Sequence, residues 1–203
     1  MQAVRGHVLR KPSPRPTAAS AAGPGHPRDP ALRRLVEALA AAAIGDTFNQ
    51  YTDSPVRRER LREYLAERRC APILLVGEAA GYRGARVSGL PFTSERQLTG
   101  SGPAEATATI VHRVLAELGL EEGVLLWNVV PTHPHRPGDE RSNRAPTRAE
   151  VEAARPFLAE LARGRRVVAV GRVAEREVGP PALRHPSHGG AAEFAAGLAA
   201  LLA

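Results

Sequence analysis

Three short apolar runs punctuate the chain: PILLVG at 72–77, GVLLWNVV at 123–130 and RRVVAVG at 165–171. Each is made mainly of β-branched and aliphatic residues with little polar alternation, the pattern of a strand buried on both faces. The segments around them follow a helical period instead. Asp29-Pro30 is a helix start, and Leu32, Leu35, Val36, Leu39 and Ala43 then recur on one side. A second helix is predicted from Ser54-Pro55 to Arg69, with Leu61 and Leu65 facing inward and Arg57, Arg58, Arg60 and Arg62 spread around it as a solvated face. Helical patterns follow at 103–118, 147–163 and 190–202, and ALR at 182–184 reads as one more short strand. Strands alternating with helices predict an α/β domain with a parallel-rich sheet covered on both faces.

In such a sheet a ligand sits beyond the carboxyl ends of the strands, where several loops converge. The unusual residues all fall there. Gly77-Glu78-Ala79-Ala80-Gly81 follows the first run, Asn128 to His135 the second, Gly171-Arg172 the third, and His185-Pro186-Ser187-His188-Gly189 the short strand. The first of these loops is rich in glycine (Gly77, Gly81, Gly84, Gly89 and then Gly100), which suits a backbone that something must approach closely.

Composition narrows the chemistry. A length of 203 residues suits one domain. Residues 1–30 are rich in Pro, Ala and Arg and read as a flexible basic arm, leaving 31–203 as the catalytic domain. The formal charge is +7, which favours a polyanionic partner such as nucleic acid, but five cations against Asp29 put +4 of it in the arm. A single cysteine, Cys70, rules out an internal disulfide or a four-cysteine cluster and suits a reducing cytoplasm. No apolar run approaches a membrane span. Lys11 is the only lysine, so the folded part has no phosphate-binding Walker loop, and neither G-x-G-x-x-G nor G-x-S-x-G occurs. His133 and His135, with His112 upstream, leave a metal-dependent hydrolase as a minor alternative.

Taken in order, GEAAGYRGARVSGLPF, LLWNVVP and RHPSHGG resemble the motifs of the uracil-DNA glycosylase superfamily over roughly residues 45–200. The resemblance implies a three-layer α/β/α sandwich with a central, mainly parallel sheet. It also implies an enzyme that flips a uracil nucleotide out of DNA and cleaves its N-glycosidic bond with no metal or organic cofactor, the first step of base excision repair. A monomer acting on DNA at the nucleoid is expected.

By that resemblance Phe92 is the stacking platform and Asn128 reads the base, its amide both donating and accepting. Gly77, Ala79, Gly81 and Tyr82 frame the base. His185 donates to the leaving oxygen, Ser187, His188 and Gly189 enter the minor groove, and Gly171-Arg172 grips a phosphate. Many members carry Asp or Asn where this chain has Ala79. The iron–sulfur glycosylases carry Glu at the position before it, which makes Glu78 the candidate for orienting water, although Cys70 alone cannot hold their cluster. Ala80 stands for the usual proline, and Gly81 for the thymine-excluding tyrosine of the strictest uracil enzymes. Those departures widen the expected base range to hypoxanthine and xanthine. They also keep a rival in view, a catalytically weak relative that binds damaged DNA.

Overall fold

In a computed structural model, which describes residues 29–201, the chain forms eight helices and six strands among the described residues. The arm expected over 1–30 lies outside them except for its last two residues. Four strands build one sheet: β2 (Ile73–Ala79), β3 (Val124–Val130), β5 (Arg166–Val170) and β6 (Ala182–Leu183), in the order β3-β2-β5-β6 with every pairing parallel. The helices are α1 (Pro30–Ala41), α2 (Pro55–Glu67), α3 (Ala85–Ser88), α4 (Glu95–Thr99), α5 (Ala106–Glu117), α6 (Arg148–Ala162), α7 (Arg172–Val178) and α8 (Ala191–Ala200). They flank the sheet, and the chain is the expected α/β sandwich.

The three apolar runs and the short ALR segment all become strands, within one or two residues of the predicted ends. β3 lies at an edge of the sheet, yet all seven of its residues are buried. The Leu126 N–H donates to the Tyr64 hydroxyl at 2.7 Å, so α2 satisfies a backbone donor that an open edge would leave to solvent. Caps fix the helix starts. Asp29 and Ser54 cap α1 and α2 ahead of a proline, and Thr147 and Glu150 form a capping box on α6.

Two features depart from the sequence reading. A two-residue antiparallel pair joins β1 (Thr47–Phe48) to β4 (His133–Pro134) beside the main sheet. And the α2 arginines are not simply a solvated face. Arg57 Nε donates to Val87 O at 2.8 Å, Arg60 to Ser88 O at 3.1 Å, and Arg58 to the carbonyls of Tyr51 and Thr52, both at 2.8 Å. With Tyr51 Oη donating to Gly89 O at 2.9 Å, three successive carbonyls ahead of Phe92 are tied to α2 and the turn that precedes it. A carbonyl held by a guanidinium is a charge-assisted contact, stronger than a neutral one.

Candidate active site

Beyond the carboxyl ends of the strands lies a cavity of about 450 Å³ whose lining includes Glu78, Phe92, Asn128 and His185. Residues as far apart in the chain as 78 and 185 therefore share one space.

The wall formed by Asn128 and Phe92 follows from strand register. Asn128 pairs with Gly77 across β3 and β2, so the two face the same side of the sheet. A Cβ at Gly77 would overlap the Phe92 ring and approach Asn128 Oδ1 to 2.8 Å. Only glycine leaves room for both, so Gly77 lies behind the wall rather than in it. Asn128 as a whole is 4% exposed, but its amide makes no hydrogen bond among the described residues and opens onto the cavity. A buried carboxamide of this kind is ordinarily satisfied by protein or water.

Phe92 is held in an unusual backbone state. Leu90 O accepts from Thr93 N–H at 3.3 Å, closing a β-turn with Pro91 second and Phe92 third. Phe92 has φ of 50°, the positive value that the third position of a type II turn requires and that glycine or asparagine normally supplies. Ser88 Oγ, donating to Thr93 O at 2.6 Å and accepting from Leu90 N–H at 3.0 Å, pins the turn from inside. Backbone strain of this sort persists where the surroundings over-determine it.

His185 enters from the loop after β6. Ser187 N–H donates to His185 Nδ1 at 3.2 Å, so that nitrogen is an acceptor and the proton of the neutral ring sits on Nε2. The Ser187 hydroxyl lies 2.7 Å from His185 Nδ1 and 2.9 Å from His188 Nδ1, bridging two imidazoles. Burial lowers the His185 pKa below the ordinary imidazole value, and His188 and Arg184 push the same way. The ring is thus a neutral N–H donor, and Gly171, with φ of 86°, packs under it at a distance that leaves little room for a side chain.

Of the other predicted residues, Ala79, Gly81 and His188 line the cavity. Tyr82 does not; its N–H donates to Asn143 Oδ1 and its hydroxyl accepts from Arg83 Nε. Gly189 and Arg172 are exposed, and Arg172 is the first residue of α7. Glu78 lies on the face of β2 opposite to Gly77, since neighbours along a strand alternate. Burial raises its pKa, and Arg176 pulls it back down.

The sequence reading missed several lining residues, among them Glu105, Asn143 and Arg144. The EAT that opens α5 and the SNR of the 131–147 loop resemble any polar turn. Arg144 is held by Glu150, which is 2% exposed, through bonds of 2.6 and 2.8 Å. The histidine pair does not form a metal ligand set. Both His133 ring nitrogens meet backbone carbonyls, Ala80 O at 2.8 Å and Glu140 O at 3.0 Å, and His135 stacks on it. No group of three or more His, Cys, Asp or Glu among the described residues is arranged to hold a metal ion.

Residues 67–198 match the family described as the Uracil DNA glycosylase superfamily. The chain belongs to that superfamily. No curated protein matches the chain significantly. Among solved structures, SMUG2 of Pedobacter heparinus aligns with a TM-score of 0.61 at 12% identity, over 84% of this chain and 98% of its own. At that identity the likeness speaks for the fold. Membership in the superfamily supports a DNA glycosylase, a hydrolase of N-glycosidic bonds, as the class of activity, and no described helix is long and apolar enough to cross a membrane.

Proposed function

We propose that the protein excises uracil from DNA as a monomer, hydrolysing the bond between base and sugar after the nucleotide has been flipped out of the helix. The observation that carries this reading is the Asn128 amide, which has no hydrogen-bond partner among the described residues and lines a cavity beside an aromatic ring. A carboxamide donates and accepts at once, matching the O4 and N3–H of uracil, while the Phe92 ring stacks on its face.

Breaking the glycosidic bond leaves negative charge on the base and positive charge on the sugar. His185 Nε2–H donates to uracil O2 as that charge develops, and its neutral state matches a leaving group that must not be protonated too early. Glu78 supplies a negative charge on the sugar side and holds water there. Ser187, His188 and Gly189 follow His185 into the minor groove, and the Gly171-Arg172 turn takes a phosphate, positioning the strand without reading it.

The test is a single-turnover assay on single-stranded and duplex oligonucleotides that contain uracil, hypoxanthine or xanthine, followed by alkaline cleavage. Uracil excision is expected, with a loss of about 10²–10³-fold in His185→Ala. A wild-type protein that releases no base, or a His185→Ala variant at full rate, overturns the reading. Ala79 favours one rival, a binder of damaged DNA without turnover, because no side chain there can orient water. Tight, salt-sensitive binding to uracil-containing DNA with no product would establish that rival instead.

A further inference from the structure

We propose that Glu105 is the proton acceptor of the hydrolytic step, a second carboxylate that enters the cavity from outside the three motifs. This rests on the glycosylase reading above.

Glu105 occupies the cap position of α5 but makes no side-chain bond to that helix. Its carboxyl reaches across to the loop after β2, where a Cβ on Gly81 or on Gly84 would overlap it. Two of the glycines in that loop therefore make room for this carboxyl. It lines the cavity, and neither of its oxygens has a hydrogen-bond or ion-pair partner among the described residues. A structural carboxylate in such a place would be expected to hold a cation or a cap. The guanidinium among the lining residues, Arg144, is already taken by Glu150.

The two carboxyls differ in surroundings. Glu78 is influenced by Arg176, which favours its ionised form. Glu105 is raised by burial alone, with no charge opposing it. Arg176 gives Glu78 a counter-charge that Glu105 lacks, which suits Glu78 to support a cationic sugar and Glu105 to accept a proton. The other titratable groups lining the cavity are His185 and His188, and His185 is held as a donor toward the base.

In the step itself, water oxygen bonds to C1′ as the C1′–N bond breaks. The bonding electrons leave with the base, whose oxygen is held by His185. The proton lost by water passes to the Glu105 carboxylate and is returned to the base anion, so the products are the free base and a sugar bearing a hydroxyl. The departure at Ala79 then has a physical counterpart, since a carboxylate absent from that position arrives from the start of α5.

The experiment is the pH–rate profile of single-turnover uracil excision for the wild type, Glu105→Gln, Glu78→Gln and His185→Ala. Glutamine keeps the shape of Glu105 but cannot take a proton. The wild-type rate should fall in acid through a group titrating above the usual carboxylate range. Glu105→Gln should lose about 10²–10⁴-fold and lose that limb, while Glu78→Gln keeps it. A Glu105→Gln variant that retains the rate, or that is slow but keeps the acidic limb, overturns the assignment, as does a limb that vanishes with Glu78→Gln instead. Excision that is lost in His185→Ala but intact in Glu105→Gln overturns this inference alone. A wild type that excises no uracil overturns the glycosylase reading and this inference with it.

Discussion

Replacing Gly77 with alanine adds one methyl group at the point where the side chains of Phe92 and Asn128 meet. The new Cβ would overlap the Phe92 ring and stand 2.8 Å from Asn128 Oδ1, well inside ordinary contact. The Phe92 ring is the neighbour that cannot yield cheaply. Phe92 sits on a turn at φ 50° with the carbonyls of 87, 88 and 89 held by Arg57, Arg60 and Tyr51, and Asn128 is fixed in a fully buried strand. Overpacking a site that cannot relax costs about 1–3 kcal/mol. For a domain of this size each 1 kcal/mol lowers Tm by about 2–4 °C, so the expected drop is roughly 2–12 °C. The effect on excision should be larger in proportion, because displacing a positioned group by about 1 Å costs on the order of 10²-fold in rate. Gly123→Ala is the control. A Cβ there meets nothing nearer than Leu120 O at 3.9 Å. Thermal unfolding and single-turnover excision on the three proteins decide the matter. If Gly77→Ala matches the wild type in both, or is no worse than Gly123→Ala, then Gly77 is not what spaces the ring and the amide.

Asn128→Asp places a carboxylate against uracil O4 and should reduce kcat/KM by at least 10²-fold, with little change in Tm; retained excision would remove Asn128 from base reading. Phe92→Ala should weaken binding of uracil-containing DNA by about 1–3 kcal/mol, the worth of one base–aromatic stack, and equal affinity in a fluorescence titration would exclude stacking on this ring. Glu150→Gln tests the clamp on Arg144. Burial alone would raise the Glu150 carboxyl, but the bonds from Arg144 and Thr147 outweigh it and hold it below the usual carboxylate range. A pKa lowered on folding adds stability that is present above the unfolded value, about 4.3, and is lost as pH falls through the depressed one. Wild-type Tm should therefore fall more steeply than that of Glu150→Gln between about pH 5 and pH 2, and parallel curves would refute it.

The elements that could be read from the sequence were those with a period to read. The apolar runs at 72–77, 123–130 and 165–171 and the spacing of α1 announce themselves because burial on a sheet or a helix face repeats along the chain. β1 and β4, two residues each, carry no repeat, and they exist because Thr47 and Phe48 find Pro134 and His133 some 85 positions away. The arginines of α2 show the same limit. Composition marks them as a polar face, and only the fold reveals that their guanidinium groups end on the carbonyls of residues 51, 52, 87 and 88. At the site, Glu78, Phe92, Asn128 and His185 were legible because they lie inside motifs. Glu105 was not, because what distinguishes it is a pair of glycines more than 20 residues upstream and the bonds it fails to make.

On the proposed mechanism, the placement of charge lets one small domain bind a polyanion and still assist a developing cation. Arg83, Arg172 and Arg184 are exposed and border the cavity loops in sequence, whereas Glu78 and Glu105 are half-buried in the cavity lining. Cations in water contribute to phosphate binding through counterion release, an effect that acts on the strand and weakens with salt. Carboxylates withdrawn from water act over a few ångströms and are screened far less. In the proposed reaction, a positive sugar forming next to them is stabilised by groups the phosphates do not neutralise. The guanidinium among the lining residues, Arg144, is paired with Glu150 and so opposes such a charge less. Desolvation raises both carboxyls, and at Glu105, the one proposed to accept the proton, no cation opposes that rise.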